Sequence, residues 1–495
     1  MAAPDADAPA EPATEQPPDE VVAESPSATV SMAMADAEAL AAQAGSAAAA
    51  DALIAAASQL TLSSPQRQLL HDALWAHLSR VGSAEARVYA ESGSNDARGW
   101  WRLAHELRTS TTLAAHNRRL RAWQQAHPDH PATAVPPAAL TASLTGPRAV
   151  TRVGLLLPLS GSLARAGRTV RDGFIASYLS NRDDVAYAVT VYDTAAEPMA
   201  SLYERALAAG EQVLIGPLAK EAAVALNALD PEVPVLALNY LDDQIPAPAL
   251  LQLGLAIEDE AYTLTGWLED AGMHRLLLFH NREDWSARAM RAVRESWPGL
   301  LEVQTLEDIR TVTESVGVAM RVAESHRRRD ELQALLGEPL EFSPRARGDV
   351  DAIVALVTSL EATALVPALR FHFAEGVPVF ATSQTVRGMT TERMSTLNGF
   401  RVSELPWFVT GDPLFVDLNG AFSLDGNLFV ALYALGADAF RLADRLPLLL
   451  DGSMVGLLGS TGELTRLPDG RIQRELARTI IRGGSVHSAQ ALAAD

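Results

Sequence analysis

Cysteine is absent from all 495 residues. Disulfide cross-links, thiolate metal sites, iron–sulfur clusters and cysteine nucleophiles are thereby excluded. The redox compartment stays open, because a chain without thiols is compatible with any of them. Positive charge is also scarce: 40 Lys and Arg face 61 Asp and Glu, for a net charge of -21, and Lys220 is the only lysine. No basic face of the kind a nucleic-acid binder needs is visible. No run of about 18 apolar residues occurs, so no membrane-spanning helix is expected. Walker A, GxGxxG, GxSxG, HExxH and EF-hand patterns are all missing, which removes the commonest signatures of nucleotide, hydrolase and metal chemistry.

What is present suffices to fold. Hydrophobic residues make up 48% of the chain, and at about 150 residues per domain the length allows two or three domains. The acidic excess is concentrated at the start: residues 1–66 hold ten Asp or Glu and no Lys or Arg. Residues 1–30 are rich in Ala, Pro, Asp and Glu without apolar periodicity, so they are expected to form a disordered acidic tether. They show no signal-peptide pattern, so either the chain is cytosolic or a targeting segment has been removed. Residues 31–126 read as an all-α domain. Leu69, Leu70, Leu74, Trp75 and Leu78 form one stripe, Trp100, Leu103, Ala104 and Leu107 another, and Leu113, Leu120 and Trp123 a third. Short antiparallel helices of this kind suggest a tetratricopeptide-like array. Pro128, Pro131, Pro136 and Pro137 then predict an extended linker over 127–149.

From Thr151 short, continuously apolar strands alternate with helices: 153–157, 186–192, 212–215 and 235–238, then 275–280, 301–305, 352–357 and 378–381. That pattern predicts parallel sheets covered on both faces, arranged as two lobes with a cleft between them, over residues 150–482. A long helix is expected near 313–336, a hairpin about Asp469-Gly470, and a tail over 483–495.

Ligands of open parallel sheets gather beyond the carboxyl ends of strands. Here those ends carry Ser160, Gly161 and Ser162, the pair Gly216-Pro217, Asn239 and Tyr240, Asp284 and Trp285, and Thr382 and Ser383. Small and hydroxyl residues beside a helix N-terminus can bind an anion, but Gly and Pro also simply make tight turns. Trp407 with Phe408, and Trp285, fit either cleft aromatics or core. Catalytic constellations are harder to find. His127-Pro-Asp-His130 is broken by prolines, and the pairs Asp183/Asp184, Asp242/Asp243 and Glu283/Asp284 read as solvated turns. Arg327-Arg328-Arg329 reads as a solvated helix face and His372 as structural. No catalytic residue, metal ligand or cofactor is assigned.

Several segments, in order, resemble one known family. Val153-Gly-Leu-Leu-Leu-Pro-Leu-Ser-Gly161, Val170-Arg-Asp-Gly-Phe174, Leu214-Ile-Gly-Pro-Leu218 and Pro234-Val-Leu-Ala-Leu-Asn239 look like the first lobe of the LpoA (LppC) lipoproteins. Pro339-Leu-Glu-Phe-Ser-Pro-Arg345, Asp349-Val-Asp-Ala352, Pro367-Ala-Leu-Arg-Phe371, Pro378-Val-Phe-Ala-Thr-Ser383, Leu405-Pro-Trp407 and Tyr433-Ala-Leu-Gly-Ala-Asp-Ala439 look like the remainder of that domain. Ala97-Arg-Gly-Trp-Trp101, Arg121-Ala-Trp123 and His127-Pro-Asp-His-Pro131 are similar to the end of the family's helical domain.

The resemblance implies a type I periplasmic-binding-protein-like domain behind a short tetratricopeptide-like one. It also implies a non-catalytic role: a lipoprotein in the periplasm, held at the inner leaflet of the outer membrane, that activates a class A penicillin-binding protein, the bifunctional peptidoglycan synthase. The family's lipid-bearing cysteine has no counterpart here, so the implied anchor is missing from this sequence, which reads as trimmed and restarted at an added Met1. The helical domain is also shorter than the family's. A second function class remains open, a solute receptor closing on a small amino-acid-like or anionic ligand through Ser160, Ser162, Asn239, Thr382 and Ser383.

Overall fold

A computed structural model of the chain describes residues 26–145, 150–242, 244–339, 341, 346–424, 426–454 and 456–489. The expected tether lies outside these up to residue 25, and from Pro26 the chain is helical. Of the motif at 339–345, residues 340 and 342–345 also lie outside the described residues.

The all-α domain begins with helices Pro26–Gln59, Ser64–Leu78, Ser83–Tyr89, Asn95–Arg108 and Leu113–Ala126. Their starts follow local chemistry. Ser63 and Gln66 form a capping box, and the Ser94 and Thr112 hydroxyls accept from the backbone N–H groups of Ala97 and Ala115. The stripes turn inward as expected, with Leu70, Leu74, Trp100, Leu103, Leu107, Leu120 and Trp123 buried in one core, whereas Leu69 is exposed. Ala28–Gln59 is the one described helix long and apolar enough, by length and composition, to cross a membrane. Here it lays Ala37, Ala47, Ala50, Leu53 and Ile54 into the domain core and bends at Gly45.

The expected extended linker is corrected. Residues 127–149 contain two short helices, Pro131–Ala134 and Ala138–Thr145, and both pack onto the helical domain: Ala132 and Leu140 are buried in its core. Pro131 sits at the first helical position, where proline's fixed φ starts a helix rather than forbidding one. The His130 ring caps that turn, its Nδ1 accepting from Ala132 N at 3.1 Å.

Fifteen strands follow among the described residues. β1 (Arg152–Leu157), β2 (Ala188–Asp193), β3 (Val213–Ile215), β4 (Val235–Ala237) and β5 (Leu250–Leu253) form the first lobe's parallel sheet. β6 (Arg275–His280), β7 (Leu300–Thr305), β8 (Ala352–Leu356), β9 (Val379–Thr382) and β10 (Arg401–Glu404) form the second's. β11 (Gly456–Leu458), β12 (Glu463–Arg466) and β13 (Arg471–Glu475) extend the first sheet to the order β11-β12-β13-β5-β4-β3-β1-β2. The antiparallel β12–β13 pair is the Asp469-Gly470 hairpin. β14 (Ala477–Arg482) and β15 (Ser485–Ser488) extend the second to β15-β14-β10-β9-β8-β6-β7. The tail expected from residue 483 is thus corrected: part of it is an edge strand. The long helix expected at 313–336 is two, Val312–Ala319 and Val322–Leu336, broken where Arg321 adopts φ 53.

Three crossovers join the lobes: after β5, after β10, and at Leu476 between β13 and β14. Helix Val430–Ala443 returns after the second crossover and packs across helix Ala164–Ser180 of the first lobe. The two backbones meet at paired glycines. A Cβ on Gly173 would stand 2.1 Å from Tyr433 O, and one on Gly436 would stand 2.1 Å from Val170 O.

Candidate functional site

The cleft residues sit at the strand ends, and the polar groups of Asn239, Tyr240, Trp285 and Ser383 bond within the fold. Ser160, Gly161 and Ser162 are exposed in the turn after β1, which is pinned where Leu159 N donates to Asp193 Oδ1 at 2.8 Å. Gly216 and Pro217 are buried, and a Cβ on Gly216 would lie 2.0 Å from Leu156 O, so this turn is shaped by packing against β1. Asn239 uses both ends of its amide, donating to Leu218 O at 3.0 Å and accepting from Tyr240 N at 2.9 Å. The Tyr240 hydroxyl donates to Gly254 O at 3.3 Å, and burial pushes its pKa up.

In the second lobe Asp284 is exposed, and Trp285 Nε1 donates to Glu283 Oε2 at 2.6 Å. Ser383 N and Oγ donate to Glu260 Oε2 and Oε1 at 2.7 and 2.9 Å. A carboxylate of the chain itself thus fills the anion position at the end of β9. Thr382 Oγ1 is buried and has no partner among the described residues. Trp407 is 1% exposed and packs against Phe408 and Phe415, which makes it core rather than cleft. Cavities of about 630 Å³, beside Arg102 and His127, and about 570 Å³, beside Ile245 and Arg471, lie outside the cleft.

The other candidates serve local structure. His130 Nε2 bonds Asp96 O at 3.0 Å, which together with the Ala132 cap occupies both ring nitrogens. His372 Nε2 meets Thr313 O at 2.8 Å. Asp184 pairs with Arg118, and Asp242 with Lys220. Asp243 lies outside the described residues.

Two buried polar clusters escape sequence reasoning. One lies at the lobe crossovers. Arg474, 2% exposed, pairs with Asp259 at 3.2 Å and donates to Ala256 O at 2.9 Å. Beside it Glu260 and Glu404 are both buried. Burial, with a smaller push from Glu260, raises Glu404 to about 8, and burial raises Asp259 to about 6 despite the Arg474 guanidinium. Burial likewise raises Glu260. The available signal was acidic residues at the margins of apolar segments, Ile257-Glu-Asp-Glu-Ala261 and Val402-Ser-Glu-Leu405.

The other cluster joins the helical domain to the first lobe. Arg108 pairs with Glu463 at 2.7 Å, and Ser83 N donates to the same carboxylate at 2.7 Å. Arg445, 1% exposed, donates to Ser110 O at 2.9 Å and Thr111 O at 3.1 Å. Leu113 N donates to Asp444 Oδ2 at 3.1 Å. Nearby His116 is driven down to about 3 by burial, with Arg445 adding to the shift, so it stays neutral. At the cleft, Asn239 and Ser383 are therefore paired within the fold, and buried polar groups join the helical domain to the first lobe.

The fold and site define a two-lobed, periplasmic-binding-protein-like protein carrying a helical N-terminal domain. The sequence matches the family described as "LppC putative lipoprotein" over residues 19–482, and the chain belongs to that family. It is 27% identical over 447 residues to a protein of Vibrio antiquarius (strain Ex25) named penicillin-binding protein activator LpoA, covering 86% of this chain and 73% of that one. Full-length LpoA from Haemophilus influenzae aligns over 95% of this chain and 83% of its own, with TM-score 0.58 and 21% identity. The C-domain of that protein, described as a regulator of PBP1A, aligns over 68% of this chain and 100% of its own, with TM-score 0.55 and 22% identity. A putative branched-chain amino acid ABC transporter structure from Chromobacterium violaceum aligns over 67% of this chain and 100% of its own, with TM-score 0.53 and 26% identity.

Proposed function

We propose that the chain regulates peptidoglycan synthesis by binding and activating a class A penicillin-binding protein, without catalysing a reaction itself. The observation that carries this is the match to a named activator across 86% of the chain, spanning the helical and two-lobed domains together. The placement proposed is the periplasm, tethered to the outer membrane through a lipid anchor, in line with the family's description as lipoproteins. Activation needs only that the protein bind an active conformation of the synthase more tightly than an inactive one, which shifts the population. Glycan polymerisation and crosslinking by the cognate synthase are expected to rise when the protein is added. If both rates stay unchanged at concentrations where binding is measured directly, the reading is wrong.

The receptor reading is favoured only by the likeness to the transporter structure. Against it stand Asn239 and Ser383, whose polar groups are already paired inside the fold. A thermal-shift screen with amino acids and peptidoglycan fragments separates the two: a native-state ligand must raise the melting point, and none is expected to.

A further inference from the structure

The two buried clusters are one. Arg445, holding the helical-domain carbonyls Ser110 O and Thr111 O, also donates to Arg441 O at 2.5 Å. Arg441 donates to Asp438 Oδ1 at 3.0 Å and Ser460 Oγ at 2.8 Å. Asp438, with no exposed surface, accepts from Ser460 N at 2.6 Å and from Thr461 N and Oγ1 at 2.7 and 2.6 Å. Thr461 O accepts from Arg474 at 3.4 Å, and Arg474 holds Asp259 and Ala256 O at the first crossover into the second lobe.

We propose that this chain of buried groups is a mechanical relay, through which the seating of the helical domain on the first lobe and the angle between the two lobes are coupled. The physical basis is that every member is buried and hydrogen-bonded to the next, while Asp444 beside Arg445 and Asp412 beside Arg441 complete the charge balance. A shift at one end strands a buried charge unless its neighbour follows, and a stranded buried charge is costly. The loop in the middle has little room to yield: a Cβ on Gly459 would lie 2.7 Å from Asp438 Oδ2, and one on Gly462 would lie 2.9 Å from Arg474 Cβ. The element whose states are biased is the lobe pair, joined at three crossovers, of which Arg474 and Asp259 clasp the first and the last. A partner engaging the helical domain is thereby felt at the lobes, and by reciprocity a partner engaging the lobes is felt at the helical domain.

Because the chain lacks cysteine, spin labels go only where they are introduced. Labels at E204C and R291C, on exposed positions of the first and second lobes, report the lobe angle by pulsed electron resonance. Labels at R121C and E204C report the seating of the helical domain. R445K keeps the charge but loses the planar fork that spans two carbonyls, and R474K does the same at the far end. R445K is expected to broaden the interlobe distribution, and R474K the helical-domain distribution, each at a distance from the substitution. Amide protection at Leu405 and Leu476 should fall by about tenfold in R445K, within the usual range of allosteric coupling. R118A breaks an ion pair of the same domain contact outside the relay, Arg118–Asp184, and should leave the lobes unchanged. An interlobe distribution in R445K that superimposes on the wild-type one overturns the relay, as does a change in R118A equal to that in R445K.

Discussion

The Arg108 guanidinium donates to the Glu463 carboxylate at 2.7 Å, with their side chains 5% and 15% exposed, and so bolts the helical domain onto β12. Removing one member of such a pair leaves the other charge buried and uncompensated. Arg108→Ala is expected to cost about 3 kcal/mol in urea unfolding, and Glu463→Gln less, because the amide oxygen still accepts. A loss below about 0.5 kcal/mol, the worth of an exposed pair, would mean that water reaches this contact.

Gly173 and Gly436 set the approach of helix Ala164–Ser180 to helix Val430–Ala443, which carries Asp438 and Arg441 of the relay. With backbone oxygens of the opposite helix 2.1 Å from either prospective Cβ, no side-chain rotation relieves the clash. Gly436→Ala should therefore lower stability by about 3 kcal/mol or more, the upper end of overpacking costs, and Gly173→Ala should do the same. The double variant should cost less than the sum, since one displacement of the helices accommodates both methyls. Additive losses in thermal unfolding would contradict a single shared contact.

Much of the fold was legible because apolar strands and a turn signal are local properties. β1, β3, β4 and β6 follow from uninterrupted runs such as Val153–Leu157, and the hairpin follows from Asp469-Gly470. The failures share one cause, that tertiary contact decides what a residue's chemistry is used for. Pro131 and Pro137 look like linker punctuation until Leu140 is seen completing the helical core. Ser485–Ser488 carries no strand signal of its own, and pairing with β14 makes it one. Ser383 is a plausible ligand contact in sequence, yet its partner is Glu260, 123 residues earlier. Nothing in a linear pattern shows that a site is already filled.

That self-occupied site makes a prediction of its own. Glu260→Ala would orphan Ser383 N and Oγ and cost about 1–3 kcal/mol, the range for a buried group left unsatisfied. The vacated position is shaped for a carboxylate, so formate or acetate should raise the melting point of this variant but not that of the wild type. An equal response of both proteins to acetate would show that the salt acts elsewhere.

Glu404 gives the fold a pH dependence whose sign is fixed by burial. Its carboxyl is pushed up to about 8 from an ordinary value of 4.5, chiefly by desolvation, so the native state holds a proton that the unfolded chain has lost. Stability falls with rising pH wherever the native state binds the extra proton. The contribution of Glu404 is therefore fully present below pH 4.5, declines as pH rises toward 8, and is flat above it. Asp259, raised to about 6, and Glu260, raised in the same direction, act with the same sign. Glu404→Gln mimics the protonated form and keeps an acceptor for Leu405 N, whose bond to the carboxylate is 2.8 Å. The variant should match the wild type near pH 4.5 and exceed it in urea unfolding near pH 8. Parallel stability profiles for the two proteins across that window would show that Glu404 is already ionised in the native state and finds its counter-charge within the fold.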